Sequence, residues 1–185
     1  MNRLALLDSD SLALPPIEEI VLDEVTIAAR VKELGAEITR DFKGCELTVV
    51  GILKGAQVFA SELVRKISLP TTLEFMSISR YQRRPAAKEV SIIHDLEQDI
   101  AGRHVLIVED IVDTGLTLNY LESVLRKRNP ASISICSLLD RPALRLAEIP
   151  MRYVGFNVNE EFLIGYGLDY RDRFRDLPFI ATMAL

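Results

Sequence analysis

Short, uninterrupted β-branched runs alternate along this chain with stretches whose apolar residues fall every third or fourth position. No other feature limits the possible folds as much. From Asp23 to Phe42 the stripe is Ile27, Val31, Leu34, Ile38 and Phe42, one face of a helix. Asp23 is placed to cap its start, and Gly44 stands just past its end. Leu47–Leu53 is apolar almost throughout, the pattern of a strand covered on both faces. Residues 57–67 return to helical spacing through Val58, Phe59, Leu63 and Ile67, and residues 72–79 alternate as a strand does. The strongest strand is 104–109, followed by a helix through Leu118, Leu121, Val124 and Leu125. That helix closes on Arg126, Lys127 and Arg128, cations that suit its negative end. Residues 131–139 and 152–158 are further strands. Strand–helix repetition implies an α/β fold, a parallel sheet flanked by helices. The length of 185 residues suits a single domain, 1–185.

Charge and run length remove several classes of function. Lys plus Arg number 22 against 27 Asp plus Glu, a formal charge of −5, whereas nucleic-acid binding domains carry a basic excess. No uncharged stretch approaches the ~20 residues of a membrane-spanning helix. Asp8 and Asp10 interrupt the N-terminal apolar residues before a signal core forms. Cys45 and Cys136 have neither CxxC nor metal-type spacing, which points to free thiols in a reducing, cytoplasmic compartment. Residues 80–89 are polar, with Pro85 and the cations Arg80, Arg83, Arg84 and Lys88, and read as a mobile loop.

Ligands of an open parallel sheet bind at the carboxyl ends of its strands. The strongest strand runs into Glu109-Asp110-Ile111-Val112-Asp113-Thr114-Gly115-Leu116-Thr117. Three carboxylates crowd one strand end, and then a turn with Gly115 and two hydroxyls opens a helix. Backbone N–H groups at such a helix start form an anion site. The acids would repel a phosphate placed on them and instead suit sugar hydroxyls or a bridging Mg²⁺, a hard cation that takes oxygen ligands. A phosphorylated sugar satisfies both halves. Solvated acids before an ordinary helix start satisfy the spacing equally well, and no GxxxxGK[ST] supports a P-loop.

The segment 105–118, Val-Leu-Ile-Val-Glu-Asp-Ile-Val-Asp-Thr-Gly-Leu-Thr-Leu, resembles the phosphoribosyl-pyrophosphate signature of type I phosphoribosyltransferases, in its hypoxanthine-guanine variant. The resemblance runs from about Val31 to the C-terminus. It implies that family's parallel sheet, with a small hood formed by the N- and C-terminal segments. It also implies transfer of 5-phosphoribosyl from phosphoribosyl pyrophosphate to N9 of a 6-oxopurine, with Mg²⁺, in a homodimer or homotetramer. By position, Glu109 and Asp110 match the acids on the ribose hydroxyls and metal. Asp113 matches the base that manages the purine N7 proton, and Thr114, Gly115, Leu116 and Thr117 match the 5′-phosphate loop. Lys54 and Gly55 match the pyrophosphate loop, whose Leu53–Lys54 peptide is characteristically cis in the family, and Arg175 matches its pyrophosphate-contacting arginine. In the segment 161–170 Phe162 would stack on the base, Leu163 would read its edge through the backbone, and Asp169 would touch a second Mg²⁺.

Two positions depart from the family pattern. Arg141 stands where a lysine usually meets the purine 6-oxo group, and its planar fork is not equivalent to an ammonium. In the lid loop, Arg80-Tyr81 replaces the usual Ser-Tyr. The rival reading from another class is a non-catalytic, nucleotide-sensing regulator on the same fold. Against it, every matched catalytic position keeps a competent side chain, and the N-terminal residues Glu18, Glu19, Asp23 and Glu24 are acidic.

Overall fold

A computed structural model describes residues 15–78 and 91–184. Its centre is a six-stranded sheet in the order β4-β3-β2-β5-β6-β7. The strands are β2 (Leu47–Leu53), β3 (Thr71–Ile78), β4 (Ile92–His94), β5 (His104–Val112), β6 (Ser132–Asp140) and β7 (Met151–Asn157). All neighbours are parallel except β4, which closes the edge antiparallel to β3. Helices α1 (Glu24–Asp41) and α2 (Gln57–Val64) cover one face, and α3 (Leu116–Arg126) covers the other.

The side-chain alternation of the central strands explains this sandwich. In β5, Leu106 and Val108 pack with Ile27, Leu34, Phe59 and Leu63, while Val105 and Ile107 pack with Leu118, Leu121 and Leu125. All of these residues are buried, so the uninterrupted apolar runs are what a sheet covered on both sides requires. The cap of α1 is as the sequence indicates: the Asp23 carboxylate accepts the Thr26 N–H at 2.7 Å.

Two boundaries and one sheet differ from the sequence reading. Helix α2 ends at Val64, because the Lys66 and Ile67 N–H groups bond only three residues back. Ile67 still reaches the core from that tightened turn. Strand β5 continues past Glu109 to Val112, since β6 runs alongside and pairs Glu109 with Ser137, Ile111 with Leu139 and Val112 with Asp140. Glu109 and Asp110 therefore lie on the strand, and only Asp113 follows it.

The third difference is a separate antiparallel sheet, β1-β9-β8, of β1 (Ile17–Leu22), β8 (Leu163–Ile164) and β9 (Ile180–Met183). Its N- and C-terminal segments form the expected hood. A small core of Ile164, Phe174, Leu177, Ala181 and Met183 holds it together. The stretch 80–89, with Arg80 and Tyr81, lies outside the described residues.

Candidate functional site

The carboxyl ends of β2, β5 and β6 lie side by side because the strands are parallel and in register. They bring Lys54 and Gly55, the acids of β5, and Arg141 to one edge. The hood supplies the opposite wall. Between them is a cleft of about 550 Å³ lined by Lys54, Gly55, Glu109, Asp110, Asp113, Thr114, Gly115, Thr117, Arg141, Phe162, Leu163, Asp169 and Arg175. Of the described candidates only Leu116 has its side chain outside that lining. It begins α3 and is 54% exposed, so only its backbone is placed to serve the turn.

On the β5 side, alternation separates the acids. Asp110 is buried and its Oδ1 accepts the Ile111 N–H at 2.8 Å, while Glu109 is half-buried. Gly55 lies directly on Asp110: a Cβ at Gly55 would come within 1.5 Å of Asp110 Oδ2, so no larger residue fits this approach. The Leu53–Lys54 peptide beside it is cis. Beyond Asp113 the chain turns through Gly115, at φ +77, into α3, which leaves the first backbone N–H groups of that helix at the cleft. The turn is braced from behind, where the Leu146 and Ala147 N–H groups both donate to the Thr114 carbonyl, at 3.0 and 3.1 Å.

Arg141 is only 12% exposed at its side chain and joins three parts of the site. Its Nη1 donates to Asp113 Oδ1 at 3.0 Å, its Nε to the Asn159 carbonyl at 2.8 Å, and its Nη2 to the Glu161 carbonyl. The residue that departs from the family pattern thus ties the candidate base to the loop carrying Phe162. Phe162 itself is 37% exposed. Its ring meets Tyr170 edge-on at 5.9 Å, which leaves a face open to the cleft for another planar group. Leu163 is buried in β8.

The hood carries the cations. Arg175 Nη1 donates to the Gly167 carbonyl at 2.6 Å, and Nη2 pairs with Asp169 at 2.8 Å and with Asp172 at 3.2 Å. Lys54 Nζ donates to the same Asp172 carboxylate at 2.9 Å. Both oxygens of Asp169 are engaged, the second accepting the Asp172 N–H at 2.8 Å. Asp172 was missed by the sequence reading. It belongs to no motif, and only the fold brings it between two cations that are distant in sequence. Lys54 first, then Arg175, holds its carboxyl below the usual carboxylate range. Arg145, behind the turn, was missed for the same reason.

Of the two thiols, Cys136 is buried and Cys45 partly so, and neither is in a disulfide. Burial pushes the Cys136 thiol far up, so it is chemically inert at neutral pH. No described helix is long and apolar enough to cross a membrane.

Comparison with known proteins gives a consistent set of relatives. A family model for the phosphoribosyl transferase domain matches residues 19–171. The hypoxanthine phosphoribosyltransferase of Salmonella typhimurium is 41% identical over 170 residues, covering 90% of this chain and 96% of that protein. The hypoxanthine-guanine phosphoribosyltransferase of Bacillus subtilis is 43% identical over 168 residues, covering 90% and 93%. A crystal structure of a hypoxanthine-guanine phosphoribosyltransferase from Bacillus anthracis superposes with a TM-score of 0.87 at 38% identity, covering 91% of this chain and 100% of that one.

Proposed function

The chain belongs to the phosphoribosyltransferase family, and on that premise we propose that it works in purine salvage. It transfers 5-phosphoribosyl from phosphoribosyl pyrophosphate to N9 of hypoxanthine or guanine, giving IMP or GMP and pyrophosphate. The observation that carries this reading is that one cleft gathers the β5 acids, Glu109 and Asp110, with the cations Lys54 and Arg175. The relatives quoted above are all named as transferases of this kind, and nothing favours a non-catalytic regulator.

The ribose hydroxyls would sit on Glu109 and Asp110, and the 5′-phosphate on the backbone N–H groups of Thr114, Gly115, Leu116 and Thr117. Pyrophosphate would leave toward Lys54, Gly55 and Arg175, which would first have to release Asp172. Positioned positive charge at a departing anion is usually the largest catalytic contribution. The C–O bond at C1′ breaks, N9 bonds to the opposite face, and Asp113 takes or returns the N7 proton. Phe162 would stack on the purine, worth ~1–3 kcal/mol by analogy with other base-stacking sites. Arg141 and the Leu163 backbone would meet the purine edge, and Arg80 and Tyr81 would belong to a lid that excludes water.

The donors present suit Mg²⁺. Among the described residues no three acidic, histidine or cysteine side chains converge as a closed metal site. A hard cation would share Glu109 or Asp110, and Asp169 once Arg175 lets go, with substrate oxygens and water. When bound, such an ion offsets the negative charge of the pyrophosphate. The free thiols Cys45 and Cys136 support a cytoplasmic setting. A homodimer or homotetramer completes the proposal.

The test is to incubate the protein with phosphoribosyl pyrophosphate, Mg²⁺ and, separately, hypoxanthine, guanine, xanthine and adenine. Nucleotide is expected from hypoxanthine or guanine. No product from any base refutes the transferase, and product from adenine alone refutes its 6-oxopurine choice.

A further inference from the structure

Arg145 is a cation that neither the motifs nor the proposed reaction uses. It follows a 3₁₀ turn at Pro142–Leu144, and its side chain is only 19% exposed. Nη2 donates to Oδ1 of Asp140, which is itself buried at the end of β6. Nη1 is wholly buried and has no hydrogen-bond partner. A charged donor left unpaired away from water costs free energy. Such an atom calls for compensation from something nearby.

Its nearest functional neighbour is the turn that opens α3. A Cβ at Gly115 would lie 3.1 Å from Arg145 Nη1 and 2.5 Å from Ile149 Cδ1, so the orphan nitrogen is packed against the glycine of that turn. The adjoining residues are fastened to the same place through the Leu146 and Ala147 bonds to the Thr114 carbonyl. The ion pair is also oriented, with Nη1 toward Gly115 and Nη2 toward Asp140. Its positive end therefore adds to the field of the helix N-terminus, and both favour an anion on the turn. Because Arg145 and Asp140 are both largely buried, that field is less screened at its source than a surface charge would be.

We propose that Arg145, held by Asp140, is a positioning residue for the 5′-phosphate: it fixes the 114–117 turn from behind and places a buried positive charge beneath the bound dianion. The proposal rests on the reading that this turn takes the 5′-phosphate of a phosphorylated ribose. It adds a group that strengthens phosphate binding without contacting the base or the pyrophosphate. The guanidinium pins the backbone by packing, and its charge acts through the turn.

The experiment compares IMP with inosine, which differ only in that phosphate, by titration calorimetry on the wild-type chain and on Arg145→Gln and Arg145→Lys. Arg145→Gln is expected to weaken IMP at least tenfold and inosine less than twofold, to raise KM for phosphoribosyl pyrophosphate, and to leave KM for the base unchanged. Arg145→Lys should recover most of the loss. The ³¹P resonance of bound IMP should titrate at higher pH in Arg145→Gln than in the wild type, a shift that a purely structural pin would not produce. If Arg145→Gln fails to fold, the double variant Asp140→Asn/Arg145→Gln leaves no unpaired buried charge and answers the same question. Equal weakening of IMP and inosine, or no weakening of either, overturns the role of Arg145. A wild-type chain that does not prefer IMP to inosine overturns the phosphate reading of the turn itself.

Discussion

Asp113 lines the cleft and Asp172 pairs with two of its cations, and these different partners suit the two carboxylates to different tasks. Asp113 is 46% exposed at its side chain and paired with Arg141 at 3.0 Å, so it can reach a purine while its orientation stays fixed. Replacing it with Asn keeps the shape and removes the proton acceptor. Asp113→Asn should lower kcat by ~10²–10⁴-fold with little change in KM for either substrate, and steady-state kinetics with hypoxanthine would show this. Asp172 instead occupies Lys54 and Arg175, the cations that pyrophosphate would take on the proposed reading. Asp172→Asn should tighten Mg²⁺-pyrophosphate binding severalfold in a calorimetric titration; weaker binding would mean that Asp172 helps to hold the ligand. The first residue was legible because it sits in a contiguous motif. The second was not, because Lys54 and Asp172 are 118 positions apart and no local pattern links them.

At the scale of elements, legibility followed the origin of each element's stability. Helices α1 and α3 and strands β2 and β5 carry their own periodicity, and their cores formed as the stripes indicated. Strand β1 reads IEEIVL, with mostly exposed side chains, and owes its form to Ile180–Met183 at the other end of the chain. A strand defined by its partner leaves little trace in its own residues. The two-residue β8 is the same case.

Joints between elements give two more expectations. At the end of α1, Asp41 accepts the Tyr153 hydroxyl at 2.9 Å and Arg152 Nη2 at 3.0 Å, tying that helix to β7. Tyr153, then Arg152, holds the Asp41 carboxyl below its ordinary value of 3.8. Its contribution is therefore complete above that pH and is lost as pH falls through the folded-state value. In thermal melts between about pH 7 and 2, Asp41→Asn should lower the neutral Tm and flatten the acid limb, so that the two proteins converge at low pH. At the end of β6, Arg141 fastens the 159–161 loop by its fork. Arg141→Lys keeps the charge and loses that geometry. It should cost about 2 kcal/mol, a fall in Tm of about 4–8 °C, and raise KM for the base while KM for phosphoribosyl pyrophosphate holds.

Across the whole molecule, the charge of −5 describes the outer surface and says little about the cleft. There, on the proposed reading, the acids of β5 would face hydroxyls and metal, and the cations of β2 and the hood would face phosphates. The two walls also differ in when they can exist. The wall proposed to grip the sugar phosphate is complete once β6 has docked, since it needs only β2, β5, β6 and α3. The wall that grips the base depends on the small sheet in which β9 lies between β1 and β8. During synthesis β1 emerges before every other described strand and stays unpaired until β9, the last of them, arrives. On the proposed reading, a chain still on the ribosome would gain its hold on the phosphate early and its hold on the purine last, so base recognition would report that all the described elements have been made.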